Sequence, residues 1–398
     1  MGEWRKLTIG DVADVYDGPH ATPRKTDNGP WFLSISSLAS GRLILSESAH
    51  LSEADFVKWT KRVVPREGDL LFSYETRLGE AALMPPGLQA CLGRRMGLLR
   101  PKPNAVDPRF LLYLYLGPEF QRTIAERAIH GATVDRIPLV EFSRWPVSIP
   151  DLAEQRAISE VLGTLDDKIA LNERMRETAL GLASACYEGA NIGGESELIG
   201  DLAELFDGPH ATPQKTETGP WFLSISSLKN GFLDLAESAH LSEEDFPRWT
   251  RRVQPQAEDV LFSYETRLGD AALMPPGVRG SLGRRMALLR SKSTSVSGAL
   301  LLHAYLSPAF QDEIRRRTVQ GATVDRLPLK EMPGWRIPLP AQGERERLSA
   351  KLDALHASVT QTAKENRTLI DLRDTLLPQL LSGKLRVKDV VRTVEEVA

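Results

Sequence analysis

Cysteine is almost missing from this chain: Cys91 and Cys186 are the only two in 398 residues, and they form no CxxC pair. A disulfide framework and a zinc cluster are therefore not expected, and a reducing compartment, the cytoplasm, is. No stretch of eighteen apolar residues occurs, so no membrane-crossing helix is expected. The opening MGEWRKLTIGDV has two basic residues but no apolar core, and no signal peptide is expected from it. Catalytic signatures are missing as well. There is no GxSxG elbow, no HExxH, no phosphate loop of the GxxxxGK type and no GxGxxG. MPPG at 84–87 does not match the Asn/Asp-Pro-Pro-aromatic run of adenine methylation. His20 lies three residues from Asp17 in a Pro-containing turn, which cannot orient a Ser/His/Asp triad. His50 and His240, both in ESAHLS, have no metal-ligand spacing. The reading is a non-enzyme with no metal and no cofactor of its own.

Excess positive charge is also lacking. The net charge is −3, with 50 Lys and Arg against 53 Asp and Glu. The acidity is local: residues 151–198 carry 4 basic and 10 acidic side chains, whereas 1–150 carry 19 and 17 and 199–340 carry 17 of each. A binder that holds polyanions without regard to sequence is usually far more basic. This balance leaves room for a binder that uses a few placed cations.

What the chain does have is a repeat. DGPHATP at 17–23 returns at 207–213, GPWFLSISSL at 29–38 returns at 219–228, and LFSYETRLG at 71–79 returns at 261–269. AALMPPG, LGRRM and GATVDR recur likewise, every pair 190 residues apart. That period is far too long for a solenoid and means two copies of one whole domain.

Each copy reads as mixed α/β with short elements. Pro30–Ser36 and Asp69–Ser73 read as strands, Ser52 with Asp55 as the cap of a short helix to Trp59, and PPG at 85–87 as a turn. Asp107-Pro108 opens a helical stretch that breaks near Gly117-Pro118. A long helix follows each copy, after Pro150 and after Pro340. In the second, Leu348, Leu352, Leu355, Val359, Leu369 and Leu376 fall on a 4-3 spacing. The first shows Ile158, Leu162, Leu165 and Ile169 in the same frame. Two such stripes can bury each other, and the polar interruptions Asn172 and Asn366 can fix their register. The expected fold is α+β: a domain over 1–150, a helix over 151–190, a second domain over 191–340, and a helix with tail over 341–398. EGANIGGESE at 188–197 is the polar connector.

In order, these segments resemble the specificity subunits of type I restriction-modification systems. The resemblance rests on GDVADVYDGPHATP at 10–23, GDLLFSYETRLGEAAL at 68–83, HGATVDRIPLVEFSRWPVSIPDLAEQRAI at 130–158 and LLPQLLSGKLRV at 376–387. It covers essentially the whole chain. It implies two target recognition domains, each reading half of a split site in double-stranded DNA. It also implies two helices packed as an antiparallel coiled coil, which space the domains and dock adenine methyltransferase subunits, two of them expected. Restriction subunits are further possible partners, and S-adenosylmethionine and ATP would bind to partner chains rather than to this one. The departure from the family pattern is the near-identity of the two domains. Two like readers facing opposite strands predict an interrupted palindrome as target.

Three loops carry side chains suited to DNA. The first presents His20, Thr22, Arg24 and Lys25, repeated as His210, Thr212, Gln214 and Lys215. The second holds Tyr74 for stacking or phosphate, Glu75 for cytosine N4 and Arg77 for guanine, with Tyr264, Glu265 and Arg267 in the other copy. The third, GATVDR, offers Thr133 and Arg136, and Thr323 and Arg326. Arg94 and Arg95, with Arg284 and Arg285, are read as phosphate anchors, and Ser34, Ser36 and Ser37 as weaker candidates. Each loop also has a plain structural reading, as a turn or as a Glu–Arg ion pair. The competing function is a duplicated protein- or glycan-binding scaffold.

Overall fold

The computed structural model describes residues 4–131, 134–190, 194–229, 231–321 and 324–388. The chain divides into two compact units, one of residues 1–169 with 368–398 and one of 170–367. Each takes one copy of the repeat and a part of each long helix. No helix among the described residues is long and apolar enough to cross a membrane.

In the first unit a four-stranded antiparallel sheet runs in the order Ala13–Asp17, Met96–Pro101, Leu70–Ser73, Ala81–Leu83. Its central strand LLFS is buried on both faces, and the alternation shows where each face goes. Leu70 and Phe72 join a core with Phe110, Tyr115, Phe142 and Trp145, while Leu71 joins Leu33, Leu92 and Leu98 on the other side. Phe142 and Trp145 meet edge to face at 4.9 Å between centroids, so the aromatic core is interlocked rather than merely greasy. The helix Pro108–Leu116 starts where Asp107 accepts the N–H of Phe110, and Gly117 with extended backbone separates it from Pro118–Arg127. Arg5–Thr8 pairs with Pro146–Ile149, bringing the ends of the domain together ahead of the long helix Leu152–Ala190. Within this unit Ile158 and Leu162 are buried with Leu380, and Leu376 packs against them. Arg373 donates to Asp166 at 3.0 Å.

The second unit repeats this plan, with the sheet order Ala203–Asp207, Met286–Ser291, Val260–Ser263, Ala271–Leu273. One helix shrinks: Glu53–Trp59 of the first unit becomes Phe246–Trp249, because Pro247 stands where the first copy has Val57 and lacks the N–H that a helix interior requires. The helix Gln342–Leu381 brings Leu348 and Leu352 into one core with Ala183 and Tyr187, and Leu355 packs against them. Val359 is buried, and Asn172 bonds Asn366 at 2.9 Å. The partners fall in number as the first helix advances, so within this unit the two helices run antiparallel. Of the positions on the 4-3 spacing, Ile158, Leu162 and Ile169 are buried in the first unit and Leu348, Leu352 and Val359 in the second, whereas Leu165, Leu355, Leu369 and Leu376 are half-buried.

One expectation needs correcting. The apolar strand lies at Thr26–Phe32, not at Pro30–Ser36. Residues Ile35–Ser37 form a single turn of 3₁₀ helix in which the serines bond one another, Ser37 being buried 2.8 Å from Ser48. Ser34, Ser36 and Ser37 therefore hold a turn together and do not alternate between strand faces.

Candidate nucleic-acid interface

Strand register decides where the loops sit. In the first unit Gly97 lies opposite Asp17 and Met96 opposite Ser73, so three chain segments leave the sheet at one end. They are the loop after Asp17, the loop after Ser73 and the Arg94-Arg95 turn before Met96. The third loop is stitched to them by backbone. Arg136 bridges Ile129, Ile137 N–H donates to the Tyr74 carbonyl at 2.8 Å, and Thr76 N–H donates to that of Asp135 at 3.3 Å. The second unit repeats this with Arg326, Val319, Leu327 and Tyr264. The loops nominated from sequence thus share one surface within each unit.

An ion pair braces that surface. Arg95 Nε lies 2.8 Å from Glu75 Oε2, and Arg285 Nε lies 2.7 Å from Glu265 Oε2. Thr76 and Arg95 have φ near +70°, as do Thr266 and Arg285. Left-handed backbone at non-glycine residues is costly, more so at a β-branched threonine, and it gathers where side chains must be aimed. Gly18 is required for a different reason. A Cβ there would sit 2.8 Å from the Gly93 carbonyl, so the first loop can lie against the arginine turn only without a side chain.

The first loop leaves His20, Thr22, Arg24 and Lys25 exposed, as it does His210, Thr212, Gln214 and Lys215. His20 Nε2 is 3.2 Å from Asp17, whose carboxylate also takes Arg62 at 2.7 Å, and His210 with Asp207 and Arg252 repeats the arrangement. Arg62 and Arg252 were not singled out from sequence; nothing marks them until the fold carries them to Asp17 and Asp207. Arg94 and Arg284 are exposed, and so are Arg136 and Arg326. Among the described residues these four have no carboxylate partner, and neither have Arg24, Lys25 and Lys215 of the first loop, so all of these cations are open to an anion.

Two residues stand otherwise than the sequence suggested. The ring of Tyr74 is buried, as is that of Tyr264, so neither presents a face for stacking. Burial raises the phenol of Tyr74, and that of Tyr264 is pushed up to about 12 by burial and then by the nearby carboxylates. Arg77 stays partly exposed but donates to the Ile35 carbonyl at 3.2 Å and pairs with Glu80, and Arg267 does the same with Leu228 and Asp270. Their guanidinium groups already hold loops in place. Thr133 and Thr323 lie outside the described residues. Ile129 and Val319 went unnoticed in the sequence, and each is over two-fifths exposed on this surface. Side chains of this kind can meet a thymine methyl.

Residues 1–180 match the family described as the type I restriction modification DNA specificity domain. A chain from Methanocaldococcus jannaschii named for the MjaX type I restriction enzyme specificity subunit is 22% identical, covering 97% of this chain and 94% of that one. The MjaVIII specificity subunit of the same organism is 20% identical over 98% and 94%. Among solved structures, the type I restriction-modification S subunit of M. genitalium superposes with a TM-score of 0.57 at 16% identity, covering 95% of this chain and 96% of that one. At that identity the match speaks for the fold.

Proposed function

We propose that the chain is a specificity subunit of a type I restriction-modification system, as its likeness to that family supports, and that it reads an interrupted palindrome in double-stranded DNA through two like modules. The observation that carries this is the shared surface. In each unit Arg94 and Arg136, or Arg284 and Arg326, stand unpaired beside a Glu–Arg brace on backbone held in a strained conformation. Unpaired cations at the rim hold phosphates, and the loop groups between them read base edges. The loops are near-copies, so the two modules read closely matching base strings, one on each strand.

The long helices set the unread gap, and their outer faces dock methyltransferase subunits, which bring S-adenosylmethionine. ATP belongs with a restriction subunit where one joins. This chain supplies recognition and no chemistry. The test is to assemble it with its methyltransferase partner and map every modified base on a plasmid library. Modification in two inverted, matching half-sites at one fixed spacing is the expected result. Two unrelated halves would overturn the palindrome, and binding without sequence preference would overturn the reading role.

A further inference from the structure

The reading surfaces of the two units differ at two polar positions. Loop one carries Arg24 in one and Gln214 in the other; loop three is entered through His130 in one and Gln320 in the other. Arg24 is exposed past the Pro23 turn, a place suited to a phosphate, and a phosphate contact holds a duplex without reporting its sequence. Position 130/320 is placed to do more.

In the second unit a cavity of about 380 Å³ opens among Glu265, Arg285, Gln320, Gly321 and Arg326, with Val319 and Val324 as its apolar part. The same residues recur in the first copy, except that Ile129 replaces Val319 and His130 replaces Gln320. The first exchange trades one aliphatic group for another. The second alters which hydrogen bonds can form. His130 is drawn aside, its Nδ1 lying 3.1 Å from Asp135, which leaves Nε2 as its one remaining polar atom. The matching Asp325 accepts instead from the backbone N–H of Gly321, at 3.4 Å. The amide of Gln320 thereby keeps both its oxygen and its NH₂ for a partner. An amide of that shape matches adenine, whose major-groove edge sets the N7 acceptor beside the N6 donor, whereas one ring nitrogen makes one contact.

We infer that position 130/320 sets a single-base asymmetry between the half-sites: the second module requires adenine where the first is relaxed. The inference rests on the chain being a paired reader of DNA, and the experiment separates the two. The chain assembled with its methyltransferase partner selects from a pool of duplexes with both half-sites randomised, and the bound fraction is sequenced. The halves should agree at every position but one. There, one half favours adenine roughly tenfold or more and the other shows a weaker preference. His130→Gln should bring adenine to both halves, and Gln320→His should relax both. Halves equal at every position in the wild type, or a His130→Gln profile identical to it, would overturn this inference and leave paired reading standing. A pool in which no sequence is enriched would overturn paired reading, and this inference with it. Both side chains are exposed, so an unchanged melting temperature separates lost reading from lost fold.

Discussion

Asn172 donates through Nδ2 to the side-chain oxygen of Asn366 at 2.9 Å, and also to Glu365 at 2.8 Å, between the two long helices. A polar pair between such helices favours one register over its neighbours at some cost in stability. Asn366→Leu alone strands a buried donor and should lower stability by about 1–3 kcal/mol, while Asn172→Leu with Asn366→Leu should recover most of that loss. Denaturant titration of the three variants measures the coupling. A double variant that is no more stable than the single one would contradict it.

These helices show how much the sequence disclosed. The 190-residue period, the paired helices, the cap at Asp107 and the shared character of the three loops were all legible, because each is carried by local chemistry or by repetition. The direction of individual side chains was not. Arg77 sits in a motif that looks outward-facing, yet its guanidinium is claimed by a carbonyl at Ile35, distant in sequence. Tyr74 follows a strand buried on both faces and goes inside with it. Arg62 became part of the surface only through long-range folding onto Asp17.

A second polar pair distinguishes the units and gives a pH prediction. His303 Nε2 and His356 Nε2 lie 3.0 Å apart, both buried, where the first unit has Tyr113 donating to Asp166 at 2.7 Å. Burial, and for His303 also the neighbouring His356, holds these imidazoles low, at about 3 for His303 and about 4 for His356. An unfolded histidine takes its proton near 6.5, so the unfolded chain binds protons first. Stability from this pair is full above pH ~6.5 and is lost as pH falls toward 4, by about 3 kcal/mol or more. His303→Phe with His356→Leu should flatten that part of the profile. Thermal melting between pH 7 and pH 4 reads it, and an equal acid response in the variant would refute the assignment.

Salt dependence tests the free cations. Arg94→Ala with Arg284→Ala removes one phosphate contact from each module. It should weaken binding to all sequences alike and lower the slope of log K against log salt by about 2. An unchanged slope would remove these residues from the phosphate-contacting set.

The most direct test of the central claim is a modification map of the complex assembled with Arg136→Ala and Arg326→Ala, beside the wild type. The wild type should modify inverted, matching half-sites at one spacing, and the variant should assemble normally yet lose that modification by roughly tenfold or more. Wild-type modification in two unrelated halves, or a variant that keeps full modification at the same sites, would contradict the account.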